Sequence, residues 1–578
     1  MDKKTLIAVF LILGVLLIDS VWWSSRTRQK QQQQRQTTGQ QLTPGAAGTT
    51  TATGGSILGG SAATDGGSTT DGGSATGQTT GSTPSTPVMG APSLAGETLV
   101  STRVADAPIE ERRLSTKDVQ ATFSTEGGTI TSWVVPGYKN PVTKGPVDLV
   151  RPGSSAMHVV VSAGQATFDF SHVPFQLADF NESAGRVSFV AEDSSGVSVT
   201  KTYRVDPKGS LLDVEVRLSA PADLGPIRYR IGWGSSLPIT ELYGKPDELR
   251  GTALLGEKLV ALDTKGLGKE GLRVEKGNVR WAGDRSKYFV AALVPDSLTV
   301  DEVAFLPAAD GSSSAWLTGA ATPGSLVVRH ARLYAGALHY DTLIGLGSGL
   351  DQLVNLGWKW LLPVSTFLLK SLLLLYKWIP NYGVGIILLS LLTKVVFYPL
   401  TQSSLRTMKI MHRLQPRMTE LREKYKEDPV KMNSSVMALY KEHKVNPLGG
   451  CLPMLLQVPV FLALYNVLLY SVELRAAGFM GHIHDLSAPD LLFQLGPLPI
   501  HLLPLLMAAS TFWMQALTPT DPNQKPLMML MPVMMLFFMY NLPAGVILYW
   551  TVNNVLSALQ QQWVNIADDR ETAARAAT

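Results

Sequence analysis

The feature that most constrains this chain of 578 residues is a series of six long apolar runs after residue 353. About 20 apolar residues are needed for a helix to cross the ~30 Å hydrocarbon core of a bilayer. By that measure the last four runs are long enough to be spans, although the fifth reaches only ~22 Å as a helix. We therefore expect a helical membrane bundle. The runs are Leu361 to Ile379, Gly383 to Leu400, Leu448 to Val472, Ile500 to Leu517, Pro526 to Tyr540 and Ala544 to about Val564.

The first of these runs fits two placements. It carries Lys370 and Lys377, and Trp358 and Trp360 stand just before it. Charged and tryptophan side chains at these positions suit a helix that lies in the membrane interface as well as one that spans.

A basic segment, 401–447, separates the second run from the third. It has ten Lys and Arg against five acids, so the positive-inside rule places it in the cytoplasm. Two helical stretches, about 403–427 and 430–444, meet at Asp428-Pro429, where proline breaks a helix. The segment is therefore predicted to be a helical hairpin that contacts ribosomal RNA or anionic lipid, or that only sets the topology. The basic residues are Arg406, Lys409, Arg413, Arg417, Arg422, Lys424, Lys426, Lys431, Lys441 and Lys444.

The first 96 residues divide into an anchor and a linker. Lys3 and Lys4 precede the apolar run Leu6 to Ile18, and no small-residue cleavage site follows, so 1–23 is predicted to be an uncleaved transmembrane helix. Residues 24–96 have no aromatic residue and are rich in Gln, Gly, Ser and Thr. Such a composition predicts a disordered linker.

Short alternating segments broken by turns fill residues 97–345. Examples are VSVTKTYRV (Val197 to Val205), LLDVEVRL (Leu211 to Leu218) and KYFVAALV (Lys287 to Val294). Period-two alternation predicts half-buried strands, and many short strands without helices predict an antiparallel sandwich. Its four histidines lie far apart in sequence and are interpreted as surface or hydrogen-bonded strand residues. They are His158, His172, His330 and His339.

Composition excludes several classes of function. A net charge of +4 is small for this length and argues against a dedicated nucleic-acid binder. One cysteine, Cys451, cannot form an internal disulfide or a CxxC centre. No Walker-type GxxxxGK[ST] motif is present, so neither a nucleotide, a metal nor another cofactor is expected.

Charge alone leaves the topology open. If the basic hairpin is cytoplasmic, Gly383 to Leu400 runs inward. If Leu361 to Ile379 is interfacial, the β-region lies outside and the N-terminus inside; if it spans, both are reversed. Basic residues after the first helix, Arg26 and Arg28 among them, favour the reversed arrangement.

The C-terminal region carries motifs that in order and spacing resemble the YidC membrane insertases over about residues 353–566. The β-region resembles the periplasmic domain of that family through two further segments, EGGTITSWVVPGY (Glu126 to Tyr138) and WAGDRSKYF (Trp281 to Phe289). The C-terminal motifs are YPLT (Tyr398 to Thr401), LQP (Leu414 to Pro416), MALY (Met437 to Tyr440), KVNPLGGCLPMLLQVPVFLALY (Lys444 to Tyr465), SVELR (Ser471 to Arg475), IHDLSAPD (Ile483 to Asp490) and PAGVILYW (Pro543 to Trp550).

The resemblance implies a fold class and a topology. The fold would be an α-helical membrane bundle of one N-terminal and five C-terminal transmembrane helices, with an interfacial helix and a cytoplasmic helical hairpin, plus an all-β periplasmic sandwich. Both termini would be cytoplasmic in the bacterial inner membrane. The domains would be 1–23 anchor, 24–96 linker, 97–345 sandwich, 346–380 interfacial helix region, 381–566 insertase core and 567–578 tail.

Lys394 is the candidate centre of the functional site. A cation in hydrocarbon costs ~2.5–3.5 kcal/mol, so it should face water or a partner. It is either the cationic floor of a polar groove or a lysine that snorkels to the headgroups. The resemblance favours the groove, where family members generally carry arginine; lysine keeps the charge but lacks the planar fork. The predicted groove residues are Lys394, Ser390, Gln457, Gln515, Tyr549, Trp550, Asn553 and Asn554.

A methionine-rich run, Pro526 to Tyr540, is the candidate apolar face for the substrate. Thioether side chains adapt to many partner helices, although plain core packing is the alternative. The short run also predicts local thinning of the bilayer. The residues assigned to this face are Met528, Met531 and Met535.

The function that the resemblance implies is membrane protein insertion without ATP. A polar flank of the substrate would enter the groove from the cytoplasm while its apolar part slides into lipid. The implied partners are nascent membrane proteins, the Sec translocon with its accessory subunits, a ribosome or targeting factor at the basic hairpin, and membrane lipids, with the protein acting as a monomer. The tail after Ala567 is slightly acidic, whereas many family members end in a basic one.

The rival interpretations are a transporter, an enzyme with its site in the sandwich, and a structural assembly factor for the translocon.

Overall fold

The computed structural model describes residues 98–577 except 101, 103, 207–210, 242–243, 245–247, 268–270, 297–299, 309–310, 444–451 and 519–524. The predicted anchor (1–23) and linker (24–96) lie outside the described residues, as does the NPLGG part of the third apolar run.

The region predicted to be a sandwich consists of strands β1–β20. Their bounds are β1 Thr98–Val100, β2 Glu111–Ser115, β3 Gln120–Ser124, β4 Thr129–Lys139, β5 Pro146–Asp148, β6 His158–Ala163, β7 Ala166–Asp169, β8 Gln176–Asn181, β9 Arg186–Glu192, β10 Ser198–Val205, β11 Leu211–Ser219, β12 Ile227–Gly232, β13 Arg250–Leu255, β14 Lys258–Leu262, β15 Arg273–Lys276, β16 Val279–Arg285, β17 Phe289–Pro295, β18 Glu302–Pro307, β19 Ser313–Ala321 and β20 Val327–Ala337.

These strands form three sheets. One has the order β1-β7-β6-β12-β19-β18-β15, the second β14-β13-β16-β17-β20-β11-β10-β9-β8, and the third β2-β3-β4-β5. The pairing is antiparallel as predicted, with one exception: β1 runs parallel to β7, with Thr98 opposite Ala166. The fold-class prediction of an all-β sandwich therefore agrees with the structure, and its purely antiparallel form needs this correction.

The predicted half-burial of strands holds for β10 and β11 and fails for β17. Burial alternates along β10 and β11 with the period of two read from the sequence. In β17, Phe289 to Val294 are all buried. The strand lies inside its sheet between β16 and β20, and both of its faces are covered.

Helices follow the sandwich. They are α1 Tyr340–Gly345, α2 Leu362–Trp378, α3 Tyr382–Lys424, α4 Pro429–Glu442, α5 Leu452–Tyr470, α6 Leu502–Leu517, α7 Lys525–Met539 and α8 Ala544–Ala577. Each of the six predicted apolar runs overlaps one helix, and α3 and α8 continue well past the ends of their runs. The face of β17 that is turned away from the sandwich core packs against these helices. Val290 and Ala292 on this face share an apolar cluster with Leu369 of α2 and Val467 of α5.

Helix α3 joins two elements that the sequence suggested separately. It continues for 43 residues through Pro399 and Pro416, so the predicted span and the first arm of the hairpin are one helix. The break at Asp428-Pro429 is confirmed: the Asp428 carboxylate accepts a 3.0 Å hydrogen bond from the amide of Lys431 at the start of α4. Asp428 is thus an N-cap.

Helix length alone supports fewer spans than predicted. Among the described residues, Tyr382–Met408 is the one helix both long and apolar enough to cross a membrane. Shorter apolar helices cover Gln457–Tyr470, Leu502–Leu517 and Met528–Met539. Five C-terminal spans therefore stay a prediction.

Two peripheral elements expose apolar side chains. Helix α2 buries Leu368 and Leu372 against the bundle, whereas Phe367 and Trp378 are exposed. Before α6 lies a hairpin that the sequence did not predict, formed by β21 (Leu491–Leu495) and β22 (Leu498–His501), in which all of β21 is exposed.

Candidate functional site

Lys394 points across the interface between α3 and α8. Its ammonium donates a hydrogen bond of 2.7 Å to the hydroxyl oxygen of Ser557. The Ser557 hydroxyl in turn donates, at 2.7 Å, to the backbone carbonyl of Asn553. The lysine is therefore held against α8 by a neutral acceptor.

Tyr549 is the buried polar side chain next to this contact on α8. Its hydroxyl accepts a 3.2 Å hydrogen bond from the Asn553 amide and is also bonded to Gln457 of α5. Tyr549, Asn553 and Ser557 follow at intervals of four, which places them on one face of α8. Three helices thus contribute polar groups to one connected site, which we call the α3–α5–α8 site: Lys394, Gln457, Tyr549, Asn553 and Ser557.

Aromatic side chains border the α3–α5–α8 site. The ring of Phe461 on α5 lies 6.4 Å from the ring of Tyr549 and 4.7 Å, edge to face, from that of Trp550. Trp550 is half-buried. These contacts align α5 with α8 one turn from Gln457.

Another predicted groove residue, Asn554, lies in a different place, the seam between α6 and α8. The amide of Asn554 donates to Ser510 at 3.3 Å and to Thr511 at 2.8 Å. Gln515 is buried on the same helix as these two hydroxyls, and its Oε1 has no partner among the described residues. Adjacent helical residues point ~100° apart, and accordingly Asn554 bonds to α6 whereas its neighbour Asn553 bonds to Tyr549.

Ser390 is completely buried one turn before Lys394. Its hydroxyl donates a 2.7 Å hydrogen bond to the carbonyl of Ile386 on its own helix. This is the i−4 back-bonding common for serine in helices, so the hydroxyl is already used within α3.

The methionines of α7 divide between packing and exposure. Met535 packs against the apolar core of the bundle, Met528 is half-buried, and Met531 is 42% exposed. Exposed neighbours such as Phe537 and Phe538 extend the open face of this helix. The predicted face Met528, Met531 and Met535 is therefore partly a packing surface.

The basic hairpin has a small core of its own. Leu414, Met418 and Leu439 pack together between α3 and α4, and the Tyr440 hydroxyl donates to the Met418 sulfur at 3.2 Å. The predicted basic residues divide as follows: Arg406, Arg413, Arg417 and Lys424 are exposed, Arg422 is half-buried, and the side chain of Lys409 lies outside the described residues.

The predicted groove residues include neither Ser557 nor Phe461, although Ser557 is one of the polar residues that recur in the apolar runs and with Lys394 indicate a wet cavity. For Ser557 a signal existed, because it continues the four-residue spacing of Tyr549 and Asn553. For Phe461 none existed, since one aromatic residue in an apolar helix is indistinguishable from core. Within the described residues, no group of three His, Cys, Asp or Glu could hold a metal ion.

Comparisons with known proteins match both regions of the chain. Residues 112–369 match the family described as YidC periplasmic domain, and residues 374–571 match the family described as 60Kd inner membrane protein. The chain is 34% identical to the membrane protein insertase YidC of Syntrophus aciditrophicus, covering 79% of this chain and 85% of that protein. It is 34% identical to that of Geobacter metallireducens, covering 85% and 92%.

Among solved structures, the chain is similar to an active YidC insertase whose first transmembrane domain is resolved. The identity is 18% and the TM-score 0.35, with 79% of this chain and 93% of the other covered.

Proposed function

Because this chain belongs to the YidC family of membrane protein insertases, we propose that it places hydrophobic segments of nascent membrane proteins into the bilayer through the α3–α5–α8 site. Membrane insertases are not enzymes, and the proposed mechanism uses no cofactor or nucleotide. Its partners are therefore hydrophobic polypeptides and the lipid that receives them.

The observation that supports this site is the unneutralised charge of Lys394. Its hydrogen-bond acceptor is the neutral Ser557 hydroxyl, and no carboxylate of the described residues forms an ion pair with it. In low dielectric, a charge attracts an opposite charge far more strongly than in water. An acidic or polar flank of an incoming segment is the group that such a site would bind.

The groups around Lys394 would lower the cost of moving that flank. Gln457, Tyr549 and Asn553 offer donors and acceptors in a region that is otherwise apolar, so a polar segment can exchange water for protein hydrogen bonds. The apolar part of the substrate would then pass along the exposed side of α7, where Met531 lies, into lipid.

The proposed arrangement in the membrane follows the predicted topology. The first part of α3, Gly383 to Leu400, and the apolar runs of α5–α8 would form the five C-terminal spans. Helix α2 would lie in the interface, and the basic hairpin would be cytoplasmic, with the sandwich in the periplasm of the inner membrane. The short α7, at 15 residues, would thin the bilayer locally. We further propose that the protein works as a monomer, alone or with the Sec translocon and its accessory subunits.

The exposed arginines of the hairpin would bring a ribosome or a targeting factor to the cytoplasmic side. Arg406, Arg413 and Arg417 lie on α3 beyond the proposed span and are exposed. Anionic lipid headgroups are the other proposed contact of this surface.

The test is reconstitution of the full protein in liposomes with a single-span substrate that has an acidic outer tail. Lys394→Ala should lower the insertion rate at least tenfold, and Lys394→Arg should keep most of it. Lys370→Ala is the matched control, because Lys370 is exposed on α2 away from the site. Equal insertion by wild type and Lys394→Ala would refute the role of the charge.

A further inference from the structure

The short connection after α5, Ser471–Arg475, is embedded in two hydrophobic cores at once. Val472 is 1% exposed and belongs to the apolar core of the sandwich. Leu474 is fully buried and belongs to the apolar core of the bundle. A connection with such anchoring cannot move relative to either body without opening one of the cores.

Arg475 attaches this connection to the sandwich by polar contacts. Its side chain is 3% exposed and pairs with the Glu241 carboxylate at 3.3 Å. The guanidinium also donates to the backbone carbonyls of Lys139 at 2.9 Å and Thr240 at 2.8 Å. The same group lies 5.2 Å from the centre of the Phe289 ring. Such a buried, multiply bonded arginine is geometrically specific in a way that a lysine is not.

Glu473 makes a second attachment two residues earlier. Its carboxylate lies 3.1 Å from Nδ1 of His339, at the end of the sandwich. Nε2 of the same ring is hydrogen-bonded to the hydroxyl of Tyr138. The ring of Tyr138 packs edge to face on Phe289, the residue beneath Arg475. The two attachments therefore share one wall of the sandwich.

A third contact reaches α5 itself. The hydroxyl of Tyr288 donates to the backbone carbonyl of Leu469 at 3.2 Å. The last four carbonyls of a helix lack partners within the helix, so Tyr288 caps the end of α5 from the sandwich.

We propose that Arg475 and Glu473 are positioning residues for insertion: they clamp the C-terminal end of α5 to the β-sandwich, and thereby hold Gln457 and Phe461 against α8. This inference rests on the proposed function of the α3–α5–α8 site. It gives the sandwich a mechanical role, as the rigid support of one wall of that site.

A small tilt at the clamped end of α5 produces a larger displacement at Gln457, because Gln457 lies far along the helix from that end. Gln457 lies 13 residues before the last residue of α5. At 1.5 Å per residue that is about 20 Å, so a tilt of about 10° at the clamped end moves Gln457 by about 3 Å. A shift of this size is larger than the tolerance of its hydrogen bond to Tyr549.

The first test measures the clamp without any substrate. Spin labels at Leu326→Cys on the sandwich and Val458→Cys on α5, in a Cys451→Ser background, report the distance between the two bodies; both positions are exposed. Arg475→Met should at least double the width of the distance distribution, and Arg475→Lys should give an intermediate width. The control is Arg273→Met, which removes a half-exposed ion pair with Glu275 elsewhere in the sandwich and should leave the width unchanged.

The second test measures insertion in liposomes per folded molecule. Arg475→Met should lower the maximal rate at least threefold, while the substrate concentration for half-maximal insertion stays within twofold, because Lys394 is untouched. If Arg475→Met does not fold, Glu473→Gln replaces it, since that variant keeps the shape of the side chain and weakens only the contact with His339.

An unchanged width refutes the clamp. A broadened distribution with an unchanged insertion rate also overturns the proposal, because the contacts would then be structural only. If the Lys394→Ala variant inserts substrate at the wild-type rate, the proposed function of the α3–α5–α8 site is wrong. The width of the distance distribution then still shows, independently, whether the clamp exists.

Discussion

The ammonium nitrogen of Lys394 lies 2.7 Å from the hydroxyl oxygen of Ser557, which is 163 residues away in the chain. This contact joins α3 to α8 and places a cation against a neutral acceptor. It links the charge to the polar face of α8, on which Tyr549 and Asn553 also lie.

Removal of the Ser557 hydroxyl should therefore destabilise the bundle. Ser557→Ala leaves a partly buried ammonium without its acceptor, at a cost of about 1–3 kcal/mol. Ser557→Thr retains a hydroxyl and should recover most of that loss. Chemical denaturation of the full protein in mixed micelles measures the difference. Ser403→Ala, at an exposed position on α3, is the control, and a loss as large there would remove the basis for this prediction.

Substitutions of Asn554 and Gln457 should distinguish a residue that stabilises the helix packing from one that acts in insertion. Asn554→Ala breaks two hydrogen bonds in the α6–α8 seam and should cost about 1 kcal/mol of stability. Insertion per folded molecule should not change, because the amide of this side chain is hydrogen-bonded to α6 and not to the α3–α5–α8 site. Gln457→Ala should lower insertion several-fold with little loss of stability. The reverse pattern would show that the seam and not the α3–α5–α8 site is the working surface.

Asp284 should be among the most sensitive polar residues of the sandwich. It is buried on β16 and accepts a 2.7 Å hydrogen bond from the Ser314 hydroxyl and a 2.9 Å hydrogen bond from the Ala315 amide of β19, in the other large sheet. Asp284→Asn turns one acceptor into a donor that faces donors, which should cost about 1–3 kcal/mol. Thermal unfolding of the full protein followed by tryptophan fluorescence measures this. Asp213→Asn, exposed on β11, should be neutral.

His158 should make the sandwich less stable in acid. Burial, the positive charge of Lys201 and the neighbouring His172 lower its pKa from 6.5 to about 3, while Asp169 opposes the shift. Below pH 6.5 the unfolded chain therefore binds a proton that the folded chain does not. Folding free energy from this group is fully present above pH 6.5 and declines as the pH falls toward 3.

Hydrogen exchange of the full protein measures that decline. The opening free energy of β6 amides, corrected for the intrinsic rate at each pH, should decrease between pH 6.5 and pH 4 in the wild type. In His158→Asn the decrease should be smaller. An equal decrease in both proteins would assign the acid sensitivity to other groups.

Local features of the sequence were enough to predict most of the helices and several of the strands. The apolar runs predicted where the helices start within a few residues, since hydropathy is a property of one segment, whereas α3 and α8 continue past the predicted ends. Asp428-Pro429 marked the start of α4 because capping and proline geometry act over one turn. The alternation in β10 and β11 predicted their burial because each has a single covered face.

Part of the candidate site was also readable. Lys394 stood out because a charge within an apolar helix needs a partner, and Tyr549 was predicted from the family resemblance. Ser557 as the partner of Lys394 was not readable, because the pairing depends on how α3 and α8 pack. The different partners of Asn553 and Asn554 could not be predicted for the same reason. Which of two adjacent residues bonds to Tyr549 and which to α6 depends on how the helices pack.

The sequence by itself determined where most helices and many strands form and which charge lies within the apolar region, because those properties come from neighbouring residues. The tertiary structure decided which polar side chains meet, why both faces of β17 are buried, and that Arg475 attaches α5 to the sandwich. Each of those outcomes depends on contacts between segments far apart in the chain, whose distances no local pattern encodes.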